Sequence, residues 1–166
     1  LDVCIKVLKI FKKALGARVE ISSVMEKLAG GQRLGRKNGK GFYLYDETGK
    51  RGAVDQSIYA ELGVSSPTNP HTNKVCIERG VFAMVNECAL ALLDDHIVDT
   101  PHEVDLAMIM GTGFPPFRGG LLKYADSIGA QYIVDQLEIY SQKGAARLKP
   151  SKPLFDLAKA QGKFYR

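Results

Sequence analysis

Apolar side chains recur at helical spacing from the first residue of the chain. Val3, Val7, Leu8, Ile10, Phe11 and Leu15 fall on one face of a helix, and Gly16 is a natural stop. Ser23-Val24-Met25-Glu26 reads as a capping box opening a second, short helix that ends at Gly30-Gly31. A basic glycine loop, Arg33 to Gly41, leads into Phe42-Tyr43-Leu44-Tyr45, an aromatic run of strand type, and Thr48-Gly49 marks a turn. Val64 to Thr72, rich in Ser, Thr, Asn and Pro, has the composition of a linker. Beyond it, Val75 to Asp94 is the longest periodic segment: Val81, Val85, Cys88 and Leu92 stack on one line, flanked by Phe82, Ala89 and Leu93. Thr100-Pro101-His102-Glu103 places Thr at N-cap, Pro at N1 and Glu at N3 of a further helix, which should end by Gly111. A turn-rich corner, Gly111 to Gly120, precedes three more helices expected at Leu121–Ser127, Gln131–Ser141 and Pro153–Gln161. The pattern predicts a mainly α protein with one short β-hairpin.

An internal repeat underlies this pattern. Displaced by 129 positions, residues 1–32 align without a gap on residues 130–161. Leu8/Leu137, Ile10/Ile139, Arg18/Arg147, Leu28/Leu157, Ala29/Ala158 and Gln32/Gln161 are identical, and Phe11/Tyr140 are similar. One copy then carries the basic loop before Gly41-Phe42-Tyr43, and the other goes almost directly to Gly162-Lys163-Phe164-Tyr165. The arrangement predicts a duplicated helical unit, one copy whole from about Lys74 to Tyr165 and the other represented by its second half. The expected divisions are 1–46, the end of the first copy; 47–73, hairpin and linker; and 74–166, the second copy. Leu1 opens inside a helical pattern without an initiator Met, as expected of a piece of a longer protein.

Composition narrows the reading. With 45% hydrophobic and 25% charged residues, the 166-residue chain can bury a core. No apolar run is long enough to span a bilayer. The net charge of +5 is uneven: residues 1–54 carry 12 Lys and Arg against 5 Asp and Glu, and residues 55–166 carry 11 against 13. That localised basicity, without a helix-turn-helix or interleaved aromatic and basic residues, argues against a nucleic-acid partner. Cys4, Cys76 and Cys88 are too scattered for a disulfide framework. In apolar helical surroundings they are expected to be buried thiols of a reducing, cytoplasmic compartment.

Gly35-Arg36-Lys37-Asn38-Gly39-Lys40-Gly41-Phe42-Tyr43 resembles the signature closing the helical C-terminal domain of 3-hydroxyacyl-CoA dehydrogenases. Met84-Val85-Asn86-Glu87-Cys88, the helix through Asp105 to Met110 and the corner Gly111 to Gly120 resemble a second copy of that domain. Tandem copies characterise the multifunctional enzymes of fatty-acid β-oxidation. The resemblance implies a duplicated helical bundle of the 6-phosphogluconate dehydrogenase C-terminal type. It implies a parent that oxidises 3-hydroxyacyl-CoA to 3-ketoacyl-CoA with NAD. In this family the Rossmann domain that binds NAD and carries the catalytic His and Glu is N-terminal, and the supporting Asn of the first copy lies upstream of Leu1. The chain is therefore expected to hold no catalytic residue and no cofactor of its own, and to be inactive alone. Its implied role is a substrate-side and assembly module working with the parent's Rossmann and hydratase domains, a thiolase subunit or a second copy of itself. The alternative is a stand-alone helical dimerisation or scaffold module with no acyl-CoA role.

Candidate chemistry is sparse. Arg36, Lys37 and Lys40 could meet the phosphates of CoA. The spacing of Gly35, Gly39 and Gly41 fits neither a P-loop nor a dinucleotide turn, and a tight connection with glycines at positive φ is the simpler reading. Pro115 and Pro116 remove amides where a pyrophosphate would need them. Asn86 is either a substrate contact, as its counterpart in the catalytic copy is, or a core amide serving a loop. Arg118 is a second candidate substrate contact. His96 and His102 with Asp94, Asp95 and Asp99 match no metal-ligand spacing, and no metal is expected.

Overall fold

A computed structural model describes residues 1–31, 33–65, 71–143 and 146–165. It divides into two compact units, residues 1–70 and 71–166. The centre of the expected linker, residues 66–70, lies outside the described residues, as does Gln32 of the repeat.

The first unit contains α1 (Asp2–Leu15), α2 (Ser23–Gly30), β1 (Tyr43–Tyr45), β2 (Arg51–Val54) and α3 (Ser57–Leu62). One-turn 3-10 helices follow α1, at Gly16–Arg18, and open the glycine loop, at Arg36–Asn38. The strands pair antiparallel, Tyr43 with Val54 and Tyr45 with Arg51, with a register irregularity between the pairs. The hairpin thus starts inside the region assigned to the end of the first copy. The stretch read as hairpin and linker contains a helix, α3. At six residues it is too short to show a period, and Gly63 stops it in the left-handed conformation at φ 68°. The capping residue of α2 is Ser22, not Ser23: its hydroxyl accepts from the Val24 amide. Adjacent serines are equally able to cap, and the one-residue shift removes Glu26 from the reciprocal position.

The second unit is helical: α4 (Asn73–Leu93), α5 (Pro101–Thr112), α6 (Leu121–Ile128), α7 (Ala130–Gln142) and α8 (Lys152–Lys159). Its core joins Phe82, Val85 and Ala89 of α4 to Leu121, Leu122 and Ala125 of α6. Ile133, Val134, Leu137 and Tyr140 of α7, with Leu154 and Ala158 of α8, complete it, and Phe164 closes it. Each fully buried Val, Leu, Ile or Phe among them contributes roughly 1.5–3 kcal/mol. The Thr100 cap forms as the sequence indicates, with the hydroxyl accepting from Glu103 N and Glu103 accepting from Thr100 N. α5 runs past Gly111 to Thr112, whose hydroxyl donates to Met108 O, and Gly113 ends it at φ 72°.

Cys4 and Cys76 are exposed and Cys88 is half-buried, so two of the three thiols are not the buried hydrophobes expected from their neighbours. Among the described residues no helix is long and apolar enough to cross a membrane.

Candidate functional site

In the first unit the glycine loop is built around a residue that sequence reasoning passed over, Arg33. Its side chain is 1% exposed. Nε donates to Glu61 Oε2 (2.5 Å), Nη1 to Asp55 Oδ2 (2.7 Å) and Gly41 O (2.8 Å), and Nη2 to Ser57 Oγ (2.7 Å). One guanidinium thereby ties the end of α2 to the loop, the strand exit and α3, using the fixed fork that only arginine offers. Burial works against its charge, but Glu61 and Asp55 outweigh burial and raise its pKa. Asp55, held chiefly by the Arg33 hydrogen bond, is lowered to about 2.

The loop satisfies itself. Gly35 N donates to Lys40 O (2.8 Å), Lys40 N and Asn38 N to Gly35 O, Gly41 N to Tyr43 O, and Leu34 N to Asn38 Oδ1. Gly35 and Gly39 take φ of 87° and 75°, which supply the turn. Lys37 Nζ donates to Asp2 Oδ2 at 2.6 Å, and Lys40 Nζ lies 3.7 Å from Asp55 Oδ2. Both lysines stay about half exposed or more, and Arg36 is exposed while its stem packs on Gly49. The three candidate cations therefore share one loop, with Lys37 and Lys40 beside carboxylates of their own unit.

In the second unit, Asn86 is 5% exposed, and its amide serves the turn before α8. Nδ2 donates to Lys149 O (3.1 Å), Oδ1 accepts from Ser151 N (2.7 Å), and Ser151 Oγ donates to Asn86 O (3.4 Å). Arg118 is exposed, with its guanidinium 5.0 Å from the Tyr124 ring and 5.6 Å from Phe117. Asn86 and Arg118 thus face different partners.

Asp105, on the buried face of α5, is a second unforeseen hub. It accepts from Leu122 N (2.6 Å), Lys123 N (3.1 Å) and Tyr165 Oη (2.6 Å), capping α6 from another helix. Gly120 makes room for it: a Cβ there would sit 2.2 Å from Asp105 Cγ, and φ is 117°. Asp126 then accepts from Phe164 N (2.8 Å) and Tyr165 N (3.0 Å), clipping the tail to α6. Glu78 accepts from Tyr132 Oη (2.8 Å) and Tyr140 Oη (2.6 Å), stapling α4 to α7. Burial, with the Glu78 hydrogen bond second, raises Tyr140 to about 12.

The amides of the first glycine loop close on its own carbonyls, and in the second Gly113 N and Phe114 N donate back to Ile109 O and Met108 O before two prolines. The sites define a class: a helical module whose buried polar groups hold turns and helix ends together.

No family model matches the chain. It is 41% identical over 166 residues to the fatty acid oxidation complex subunit alpha of Shewanella baltica (strain OS155 / ATCC BAA-1091), covering 99% of this chain and 23% of that protein. The same-named subunits of Shewanella sp. (strain W3-18-1) and Shewanella loihica (strain ATCC BAA-1088 / PV-4) are 40% and 38% identical, again over 99% of this chain and 23% of theirs. The chain is a relative of fatty acid oxidation complex alpha subunits along its whole length, and it spans about a quarter of theirs.

Proposed function

We propose that this chain is the C-terminal part of a multifunctional β-oxidation enzyme and serves its NAD-dependent 3-hydroxyacyl-CoA dehydrogenase as a helical bracing module. The observation that carries the reading is identity of about 40%, spread over 99% of the chain, to subunits named for fatty acid oxidation. A duplicated module whose buried polar groups clamp turns supports a bracing role. The NAD of the parent reaction belongs to a Rossmann domain outside these residues. Arg36, Lys37 and Lys40 are the candidate contacts for CoA phosphates, and Asn86 and Arg118 for the acyl substrate. A stand-alone scaffold has no comparable support.

The test is complementation. The remaining domains of the parent are assayed for NAD-dependent oxidation of a 3-hydroxyacyl-CoA with and without this chain supplied in trans. Activity is expected only with it, and CoA titration of the chain should weaken in Lys37→Ala/Lys40→Ala. Full activity without the chain, or micromolar NAD binding by the chain alone, refutes the reading.

A further inference from the structure

Side chains alternate along a strand, so Tyr43 and Tyr45 share one face of the hairpin, and the pairing sets Val54 opposite Tyr43 and Arg51 opposite Tyr45. On α3, Ile58 and Leu62 lie one turn apart on a common face, with Tyr59 beside them. Between hairpin and helix runs a groove of about 490 Å³, lined by Phe42, Tyr43, Val54, Ile58, Tyr59 and Leu62. None of the six is charged. Ile58 forms the floor at 4% exposure, whereas the walls at Phe42 and Val54 stay 41% and 44% exposed.

Apolar walls of this kind would close on one another if their elements were free to approach. They are held apart from behind. Ser57 and Glu61, on the neighbouring face of α3, and Asp55, at the strand exit, all bind the Arg33 guanidinium, and Asp55 N donates to Phe42 O (3.1 Å). The buried clamp fixes α3 relative to the hairpin, so the groove is preformed. Its volume falls within the roughly 300–1,000 Å³ of small-molecule sites.

The groove also has a cationic end. Arg51 carries its guanidinium 4.8 Å from the centre of the Tyr43 ring, which is one of the walls. Lys40, 47% exposed, and Lys50, also exposed, flank the same hairpin and add to the positive field there. An apolar slot with a guanidinium against its wall complements an amphiphile whose negative charge is bonded directly to its chain. In an acyl-CoA the phosphates stand off from the acyl chain by the whole pantetheine arm; in a fatty acid the carboxylate ends the chain. The position of Arg51 fits the second.

We propose that the groove between the hairpin and α3 binds a single-chain fatty carboxylate, with the alkyl chain against Val54, Ile58 and Leu62 and the carboxylate on Arg51. This gives the chain a ligand of its own, beyond the bracing role and independent of it.

Calorimetric titration of the 166-residue chain with decanoate, below micelle formation, should show one saturable site. Dodecanoate should bind about three- to fifteenfold more tightly, the upper figure being full burial of two more methylenes. Arg51→Gln should weaken decanoate about three- to tenfold and leave decanol unaffected. Val54→Phe, which fills the groove from an open wall, should weaken both ligands at least about tenfold. Phe117→Ser, at an exposed ring of the second unit, should change nothing. Decanol as tight as decanoate, indifference to Arg51→Gln, loss of binding in Phe117→Ser, or many weak sites overturns the proposal. Decanoyl-CoA that binds more tightly than decanoate and ignores Arg51→Gln assigns the groove to the thioester and also overturns it. So does disappearance of the Arg51-dependent signal in the full-length parent, which would give the groove to another part of that polypeptide. Complementation tests the bracing reading separately, so either can fail alone.

Discussion

Asp105→Ala is the perturbation that the second unit should tolerate least among its polar positions. The carboxylate is 4% exposed and accepts three hydrogen bonds, from Leu122 N, Lys123 N and Tyr165 Oη. Truncation leaves Leu122 N, on a fully buried residue, without its acceptor, at a cost of about 1–3 kcal/mol. Losing the bond that anchors Tyr165 adds about 0.5–1.5 kcal/mol, while Lys123 N, on an exposed residue, can turn to water. The total is roughly 1.5–4.5 kcal/mol, a large share of the 5–15 kcal/mol that a domain has in all. Tyr165→Phe removes only the last bond and should cost about 0.5–1.5 kcal/mol. Urea unfolding followed by tyrosine near-ultraviolet circular dichroism measures both variants, and Asp105→Ala should also lower the Tm by at least about 6 °C. If Asp105→Ala costs no more than Tyr165→Phe, the carboxylate is not the cap of α6 and the reasoning fails.

Two further outcomes follow from the same geometry. Gly120→Ala should destabilise by about 1–3 kcal/mol, since the new Cβ would lie 2.2 Å from Asp105 Cγ at a φ of 117°. Gly119→Ala, meeting only the flexible Lys123 stem at 3.0 Å, should cost less, and the reverse order in thermal melts would refute the packing argument. In the first unit, Asp55 has a folded pKa of about 2, below its unfolded value near ~3.9. Its contribution is complete above about pH 4 and is lost as the pH falls towards 2. The urea midpoint of that unit should drop across this window and flatten in Asp55→Asn; an unchanged profile in the variant counts against the Arg33–Asp55 pair.

The glycine loop shows where sequence reading succeeds. Gly35 and Gly39 announce their positive φ because no other residue adopts it freely, and Thr100 with Glu103 announces a cap because both halves of the box lie within four residues. Arg33 gave no such signal. Its partners Asp55, Ser57 and Glu61 lie 22 to 28 residues away, across a hairpin and a helix too short to show a period. The cysteines misled for a related reason. An apolar neighbourhood in the chain says that a helix has a buried face, but not which residues that face includes.

By itself the sequence determined the longer helices, the Thr100 cap and the turn of the hairpin, because these depend on residues within a few positions of each other. Only the tertiary structure decided what the polar residues are for. Asn86 serves the turn at 149–151, Asp105 caps a helix other than its own, and Arg33 is the hub of a loop whose lysines drew attention first. It alone showed that Tyr140 is buried while Phe11, at the matching position of the repeat, is 49% exposed. Burial is a property of what lies across from a side chain, and local pattern carries no record of that.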